Sequence, residues 1–195
     1  MTMNDYKYFV IGLHCSGKKA ISEELSLLGV HCGRVFTTLP DVPPTKNIPN
    51  ELYYSGEDVR VMFETGSYIF LRENFDDVNP YYEGISTFDY DKNQVFFITP
   101  QQFNYIPKFN KNDVFVWLDN SEMTRRGRYR AERRKYDFSS EEVKGQYDMD
   151  DFIERVNQNP HFLYFNNEEP MRVASIVYTL IQHPDLLPLY EKNFN

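Results

Sequence analysis

The sequence predicts an α/β protein with a parallel sheet that carries helices on both faces. Two observations lead to this prediction. Short apolar segments alternate along the chain with segments of helical periodicity. The apolar segments are continuous runs such as VFFI and DVFVWL, which are typical of strands buried on both faces. The chain has 195 residues, of which 41% are hydrophobic, so it can bury the core that such a sheet needs.

The chain opens with a strand, a glycine-containing turn and a helix. Residues 6–12 (YKYFVIG) are aromatic and β-branched, residues 12–18 form the turn, and residues 19–28 place apolar side chains at helical spacing. Gly29 ends this helix. Ligands of parallel α/β sheets bind at the carboxyl ends of the strands, so the first turn is a candidate binding site.

The later segments continue the alternation. A helix is expected over 55–65, with Ser55 or Gly56 as its cap and Gly66 as its stop. Residues 40–50 contain four prolines and are expected to form an extended loop, and residues 79–86 are expected to form another loop. The remaining predicted strands cover 35–38, 68–71, 95–98, 113–118 and 161–165. The remaining predicted helices cover 100–105, 139–145, 149–157 and 168–183. A further helix is expected to begin after Ser121, which would cap it.

Composition and charge exclude several classes of protein. The net charge of −8 argues against broad nucleic-acid binding, and two cysteines do not form a metal cluster or a disulfide scaffold. No apolar run reaches the roughly 20 residues of a membrane span, and no signal peptide is visible at the start. We therefore expect a cytoplasmic protein without membrane contact, and the sequence leaves open whether it forms a homodimer.

Residues 12–18 (GLHCSGK) fit the pattern G-x-x-x-x-G-K between a strand and a helix. Glycines let backbone N–H groups surround a phosphate, the helix N-terminus adds positive charge, and the lysine reaches the outer phosphates. An ordinary glycine turn and a nucleophilic role for Cys15 are the alternatives. The candidate cofactor-binding residues are Gly12, His14, Cys15, Ser16, Gly17, Lys18 and Lys19.

Arginine is concentrated in residues 125–135. This segment carries seven of the 21 basic residues and one of the 29 acidic residues, so its net charge is +6 while the rest of the chain carries −14. Arginine is suited to bidentate contact with phosphate. The segment is therefore a candidate phosphate-binding region, with a solvated helix face or a nucleic-acid contact as alternatives.

Several segments, by their order and spacing, resemble those of guanylate kinase-like nucleoside monophosphate kinases, which have the P-loop fold. The resemblance spans nearly the whole chain and implies a divergent member of that family. The segments after the glycine loop are residues 37–40 (TTLP, similar to T-T-R-P), 51–55 (ELYYS, to D-Y-x-F-V-S), 64–71 (ETGSYIFL, to E-E-G-E-F-L-E), 81–86 (YYEGIS, to N-Y-Y-G-T/S), 95–101 (VFFITPQ, to V-I-L-D-I-D-P-Q-G), the arginine cluster with 140–143 (SEEV, to R-G-R-G-T-D-S-E-E-V) and 165–167 (FNN, to V-N-D-D).

The resemblance implies one kinase domain over residues 1–195 with three parts. A core of about 1–35 and 87–195 would hold ATP with Mg²⁺, an inserted region of about 36–86 would hold the acceptor, and a lid of about 125–142 would close over the phosphates. The residues implied to bind the acceptor are Thr37, Thr38, Tyr54, Glu73 and Tyr82. Those implied to act on the phosphoryl group are Lys18, Arg126, Arg128, Arg130, Arg133 and Arg134.

Four positions depart from the family pattern. Lys19 stands where a hydroxyl would hold Mg²⁺, and Phe97 and Thr99 stand where the family strand has two acids. Leu39 replaces the arginine that holds the acceptor phosphate, a charge that Arg34, Arg60 or Arg72 could supply. The guanine-reading carboxylate aligns with Glu73 or, in a second alignment, with Phe70.

Two functions follow from these residues. The first is ATP-dependent phosphorylation of a nucleoside or deoxynucleoside monophosphate, which the retained Lys18 and arginine lid favour. The second is a catalytically weakened module of the same fold that recognises a nucleotide, a phosphopeptide or a protein partner, which the lost metal ligands favour. Neither the acceptor base nor its sugar can be read from the sequence.

Overall fold

Two sheets and the helices around them make up the structure, a computed structural model that describes residues 6–33, 35–38, 51–75, 80–131, 149–156, 158 and 161–190. In chain order the elements are β1 (Lys7–Gly12), α1 (Lys18–Leu27), β2 (Cys32–Gly33), β3 (Val35–Thr37), β4 (Glu51–Tyr53), α2 (Gly56–Thr65), β5 (Tyr68–Phe75), β6 (Pro80–Ser86), α3 (Thr87–Lys92), β7 (Val95–Ile98), α4 (Pro100–Asn104), β8 (Asp113–Asp119), α5 (Glu122–Ala131), α6 (Met149–Val156), β9 (Phe162–Asn166), α7 (Pro170–Gln182) and α8 (Leu187–Tyr190).

Within the described residues, the main sheet has five parallel strands in the order β2-β7-β1-β8-β9. The predicted parallel α/β architecture is therefore confirmed. The chain places β7 on one side of β1 and then crosses to place β8 on the other side. This change of direction opens a crevice at the carboxyl end of β1, where the glycine loop begins.

Each face of the main sheet is covered by helices through its own apolar cluster. On one face, Val10 and Val116 pack with residues of α1 and α7 such as Leu25 and Val177. On the other face, phenylalanine rings in stacked and edge-to-face contacts join the sheet to α4 and α6. These rings are Phe9, Phe96, Phe103, Phe115 and Phe152. The high aromatic content of the chain thus contributes to its core.

The second sheet, four-stranded in the described residues, has the order β4-β3-β6-β5. Strand β3 pairs in parallel with β4 and antiparallel with β6, and β6 pairs antiparallel with β5. Phe70 of β5 and Ile85 of β6 belong to the same apolar cluster as the aromatic face of the main sheet, so this cluster joins the two sheets.

The prediction of a loop over residues 79–86 was wrong, because Pro80–Ser86 forms strand β6. Its polar residues and Gly84 resemble a loop locally, but seven of its residues pair with β5. Strand β5 also extends four residues beyond the predicted end at residue 71. Strands β2 and β4 and helix α3 were not predicted, since each is short and carries no clear periodicity.

The other predicted helices and strands within the described residues lie within two residues of the observed elements. Ser55 caps α2 with a capping box and Gly66, at a φ of 65°, ends it. Ser121 Oγ accepts a hydrogen bond from the Thr124 backbone N–H at the start of α5. The predicted loop at 40–50 and helix at 139–145 lie outside the described residues. None of the described helices is long and apolar enough to span a membrane.

Candidate functional site

The glycine loop curls between β1 and α1 as its sequence pattern predicts. The Ser16 backbone N–H donates to the Leu13 carbonyl at 3.2 Å, and Cys15 and Gly17 have φ angles of 58° and 102°. Helix α1 begins at Lys18 with no side-chain cap on its first N–H groups. Uncapped N–H groups at a helix N-terminus attract anions, so the loop has the backbone geometry of a phosphate-binding site.

Two glycines are required by close contacts in this loop. A Cβ atom at Gly12 would lie 2.3 Å from Ser16 Oγ. A Cβ atom at Gly17 would lie 2.8 Å from Pro170 Cγ at the start of α7. The loop is therefore packed directly against its neighbours, and any larger residue at these two positions would displace it.

The two lysines that follow the loop have different surroundings. The Lys18 ammonium donates to the main-chain carbonyls of Gly12 and Leu13, the latter at 3.0 Å, so it lies over the loop. Lys19 is exposed and lies 3.9 Å from Glu23 on the next turn of α1. The structure thus places Lys18 at the candidate phosphate site and directs the Lys19 side chain along the outside of the helix.

Arg128 joins helix α5 to the glycine loop. Its Nη1 donates to the Ser16 carbonyl at 2.7 Å, to the Cys15 carbonyl at 3.4 Å and to Asn120 Oδ1 at 2.5 Å. Arg128 of the predicted lid thus contacts the glycine loop directly. Its guanidinium therefore holds the loop backbone rather than lying free in the crevice.

The remaining arginines of the cluster have other positions. Arg126 is half-exposed and pairs with Glu122 one turn earlier, and Arg130 is exposed on α5. Arg125 is buried and its Nε donates to the Asn120 carbonyl at 3.3 Å. Arg133, Arg134 and the lid beyond residue 131 lie outside the described residues.

Polar groups that the sequence analysis did not assign collect at the ends of β8 and β9. The Tyr164 hydroxyl donates to Asp119 Oδ2, and this hydrogen bond, with burial, raises the pKa of Tyr164 to about 12. Asn167, at a φ of 52°, accepts from the Ser121 backbone N–H at 2.8 Å. The sequence could have indicated these residues, because polar residues directly follow two buried strands, at the edge of the sheet where ligands bind.

The residues present do not fit a protein-held magnesium ion of the expected kind. Thr99, where the family strand has an acid, caps α4: its hydroxyl accepts from the Gln102 backbone N–H at 3.1 Å. Phe97 is buried in the apolar core. In the described part of the chain, no three histidine, cysteine or acidic side chains gather where they could hold a metal ion. The two positions at which the resemblance implies metal-binding acids thus carry a core side chain and a helix cap.

The second sheet brings together most of the expected acceptor-binding residues. The Tyr82 backbone N–H donates to Thr38 Oγ1 at 2.8 Å, and the Tyr82 hydroxyl donates to Glu73 Oε1 at 2.9 Å, which raises the pKa of Tyr82. The Tyr54 hydroxyl lies 3.3 Å from Asp89 Oδ2 and its backbone N–H donates to the Thr37 carbonyl. The hydrogen bonds thus connect Thr38, Tyr82 and Glu73 in one series and Tyr54 with Thr37 in a second contact.

A charged pair on the same sheet connects it to the main sheet. Arg72 Nη1 lies 3.2 Å from Glu83 Oε1, and Glu83 Oε2 accepts from Gln102 Nε2 of α4 at 3.1 Å. The Gln102 side chain also accepts from the Thr99 backbone N–H at 2.9 Å. The sequence analysis assigned no role to Glu83 or Gln102, since nothing local indicates that they meet.

Comparison with known proteins identifies the fold. No protein-family model matches the sequence, and no curated protein sequence matches it. The chain is similar to the crystal structure of guanylate kinase from Anaplasma phagocytophilum, with a TM-score of 0.56 and 12% identity over 97% of this chain and 90% of that chain. It also matches shikimate kinase from Acinetobacter baumannii in complex with shikimate, with 12% identity over 94% of this chain and 97% of that chain. The second match has a TM-score of 0.41, too low to support a conclusion. The first shows that the fold is that of a P-loop kinase, as the sequence resemblance implied.

Proposed function

We propose that this protein transfers the γ-phosphoryl group of ATP to a nucleoside or deoxynucleoside monophosphate. The observation that carries the proposal is the position of Lys18, whose ammonium lies over the glycine loop within 3.0 Å of the Leu13 carbonyl and directly at the N-terminus of α1. This arrangement concentrates positive charge where the outer phosphates of ATP would lie. The similarity of the fold to that of a guanylate kinase also supports a kinase function.

In this proposal the chain positions its substrates and neutralises their charge. The loop N–H groups cradle the β-phosphate, and Lys18 stabilises the charge that spreads over the migrating phosphoryl group. Arg128 acts by holding the Cys15 and Ser16 carbonyls, so it is a positioning residue for the loop. Arg126, Arg130, Arg133 and Arg134 supply the lid that excludes water.

The inserted region, residues 36–86, holds the acceptor in this proposal. Thr38, Tyr82 and Glu73 form a hydrogen-bonded series on the second sheet, and Tyr54 lies at its edge. The shared apolar cluster at Phe70 and Ile85 sets this sheet beside the main sheet. Such a connection would hold the acceptor at a defined distance from the phosphate donor, which phosphoryl transfer requires.

A coupled ADP-release assay tests the proposal. ATP with Mg²⁺ is offered with each ribo- and deoxynucleoside monophosphate in turn to the wild-type protein and to Lys18→Ala. We expect turnover with at least one acceptor and a loss of about 100-fold or more in kcat for Lys18→Ala, because the charge it removes acts on the transition state. Lys108→Ala is the matched control, since Lys108 is an exposed lysine in the segment between α4 and β8 and lies outside the glycine loop. Equal rates in the two variants would contradict the role of Lys18.

A non-catalytic nucleotide-binding module is the second candidate. The observation that favours it is the carboxyl end of β7, where Thr99 caps α4 at a position that holds an acid in the family pattern. A folded protein that binds ATP but shows no turnover with any acceptor would support this candidate. A folded protein that binds no ATP would contradict the kinase proposal and favour a module that recognises a phosphopeptide or a protein partner.

A further inference from the structure

A hydrogen bond joins the second sheet to the carboxyl end of β7 in the main sheet. Gln102 Nε2, in the first turn of α4, donates to Glu83 Oε2 of β6 at 3.1 Å, although the two residues are 19 positions apart in the chain. The Glu83 side chain is 17% exposed and Gln102 is 9% exposed, so water has little access to this bond. A largely buried carboxylate that loses its donor is costly, so this bond resists displacement.

The Gln102 side chain is fixed in relation to the glycine loop. The last residue of β7, Ile98, pairs with Ile11 of β1. Thr99 therefore follows at the level of Gly12, where the loop begins. Gln102 Oε1 accepts from the Thr99 backbone N–H at 2.9 Å, and the Thr99 hydroxyl accepts from the Gln102 backbone N–H at 3.1 Å. This reciprocal capping holds the Gln102 amide in one orientation, with its nitrogen directed toward β6.

Glu83 occupies a central place in the second sheet. On β6 it lies opposite Thr37 of β3 on one side and Arg72 of β5 on the other. Its Oε1 lies 3.2 Å from Arg72 Nη1, so each carboxylate oxygen has its own donor. The Arg72 guanidinium also lies over the Tyr105 ring at the end of α4, with 5.3 Å between Cζ and the ring centre. A shift of the sheet relative to α4 would therefore disturb both contacts at once.

The apolar cluster that the two sheets share does not by itself set their relative position. Phe70 and Ile85 pack in this cluster. Apolar contact is non-directional, so neighbouring placements that bury similar areas have similar free energies. A hydrogen bond has a narrow range of distance and angle, so the bond between Glu83 and Gln102 selects one of these placements.

Both residues depart from the patterns that the chain resembles elsewhere. Gln102 follows residues 95–101, at the position where V-I-L-D-I-D-P-Q-G ends in glycine. Glu83 separates Tyr82 from Gly84, whereas tyrosine and glycine are adjacent in N-Y-Y-G. Glycine has no side chain that could make this hydrogen bond. The bond is therefore a property of this chain and does not follow from the resemblance.

We infer that Glu83 and Gln102 are positioning residues for phosphoryl transfer, because their hydrogen bond fixes the second sheet at one distance from the glycine loop. The inference rests on the proposed function and adds the residues that set the separation of acceptor and donor. Reactants held at the correct separation react faster, and a misplacement of about 1 Å can cost on the order of 100-fold in rate. Neither residue needs to touch a substrate to act in this way.

An exchange of the two side chains tests the inference. Glu83→Gln alone would set an amide N–H against the donor of Arg72 or Gln102, and Gln102→Glu alone would set two carboxylates against each other. The double variant that carries both changes restores every hydrogen bond. Its new glutamate accepts from the Thr99 N–H and from the new glutamine, whose oxygen accepts from Arg72. Gln182→Glu, at an exposed glutamine of α7, is the matched control.

Steady-state kinetics with ATP and the acceptor that the wild type uses give the first readout, and thermal melts verify that each variant folds. We expect each single variant to lose about 10- to 100-fold in kcat, with a KM for ATP within about twofold of the wild type, because the glycine loop is unchanged. The double variant should recover most of the loss, and Gln182→Glu should match the wild type. Unchanged kcat in the folded single variants, or a double variant as slow as they are, would overturn the inference.

Hydrogen exchange of the backbone amides decides the inference where turnover is absent. A wild type that binds ATP but turns over no acceptor would contradict the proposed function alone. The β5 and β6 amides of both single variants should then exchange about tenfold faster than in the wild type, while β1 and β8 keep the wild-type rate and the double variant restores protection. Equal exchange in the wild type and the single variants would show that the bond does not hold the sheet, and would overturn the inference.

Discussion

Arg128 Nη1 donates a hydrogen bond to the Ser16 main-chain carbonyl at 2.7 Å, although the two residues are 112 positions apart in the chain. The same nitrogen reaches Asn120 Oδ1 at the end of β8. Helix α5, strand β8 and the glycine loop therefore meet at one guanidinium. Arg128 holds this loop through its carbonyl groups, which leaves the loop N–H groups for the phosphate of the proposed function.

The first prediction concerns this contact. Arg128→Ala should lower the free energy of unfolding by about 1.5–3 kcal/mol, because the Ser16 carbonyl loses a charged donor. Arg130→Ala, on the exposed side of the same helix, should change it by less than about 0.5 kcal/mol. Urea unfolding of the wild type and both variants measures the difference. Equal losses in the two variants would show that Arg128 does not support the loop.

A second prediction concerns Gly17. Gly17→Ala should destabilise the protein by more than Gly29→Ala, although both glycines have positive φ angles of 102° and 80°. At Gly29 a Cβ atom meets nothing within 4 Å, so its cost is the backbone strain of about 1–2 kcal/mol. At Gly17 the contact with Pro170 adds to that strain. The two free energies of unfolding are compared by urea titration, and equal values would mean that α7 yields to the added methyl group.

The third prediction concerns Thr99 as a helix cap. Thr99→Ala should lower the free energy of unfolding by about 1 kcal/mol, since α4 loses the hydroxyl that accepts from Gln102. Thr99→Asp should stay within about 0.5 kcal/mol of the wild type, because aspartate is an equally good cap. Thermal or urea unfolding measures both values. A Thr99→Asp variant as unstable as Thr99→Ala would contradict the capping role.

The fourth prediction concerns pH. The hydrogen bond to Asp119 raises the pKa of Tyr164 to about 12 in the folded protein, against about 10 in the unfolded chain. The folded state therefore holds this proton more tightly, so its stabilising effect is complete below pH 10 and is lost between pH 10 and 12. Over that window the stability advantage of the wild type over Tyr164→Phe should shrink.

Urea unfolding at pH 9, 10, 11 and 12 measures this difference. As an internal comparison, Asp119→Asn should lower the pKa of Tyr164 toward 10, because the hydroxyl loses its charged acceptor. Absorbance of tyrosinate follows that change. A wild-type advantage that stays constant from pH 9 to pH 12 would contradict the assigned hydrogen bond.

Local patterns in the sequence determined the glycine loop, the buried strands and the capped helices. The loop follows from the order strand, G-x-x-x-x-G-K and helix, and α2 follows from Ser55 at its start and Gly66 at its end. These features are predictable because each depends on residues only a few positions apart. The same segments, taken in order, were enough to indicate the P-loop kinase fold.

Only the tertiary structure decided which side chains meet. Residues 80–86 look like a loop until β5 pairs with them, and Arg72 reaches Gln102 only through Glu83. Arg128 looked like a free lid arginine but holds the loop. Pairing between distant segments depends on their packing in three dimensions, and no local residue pattern encodes that packing.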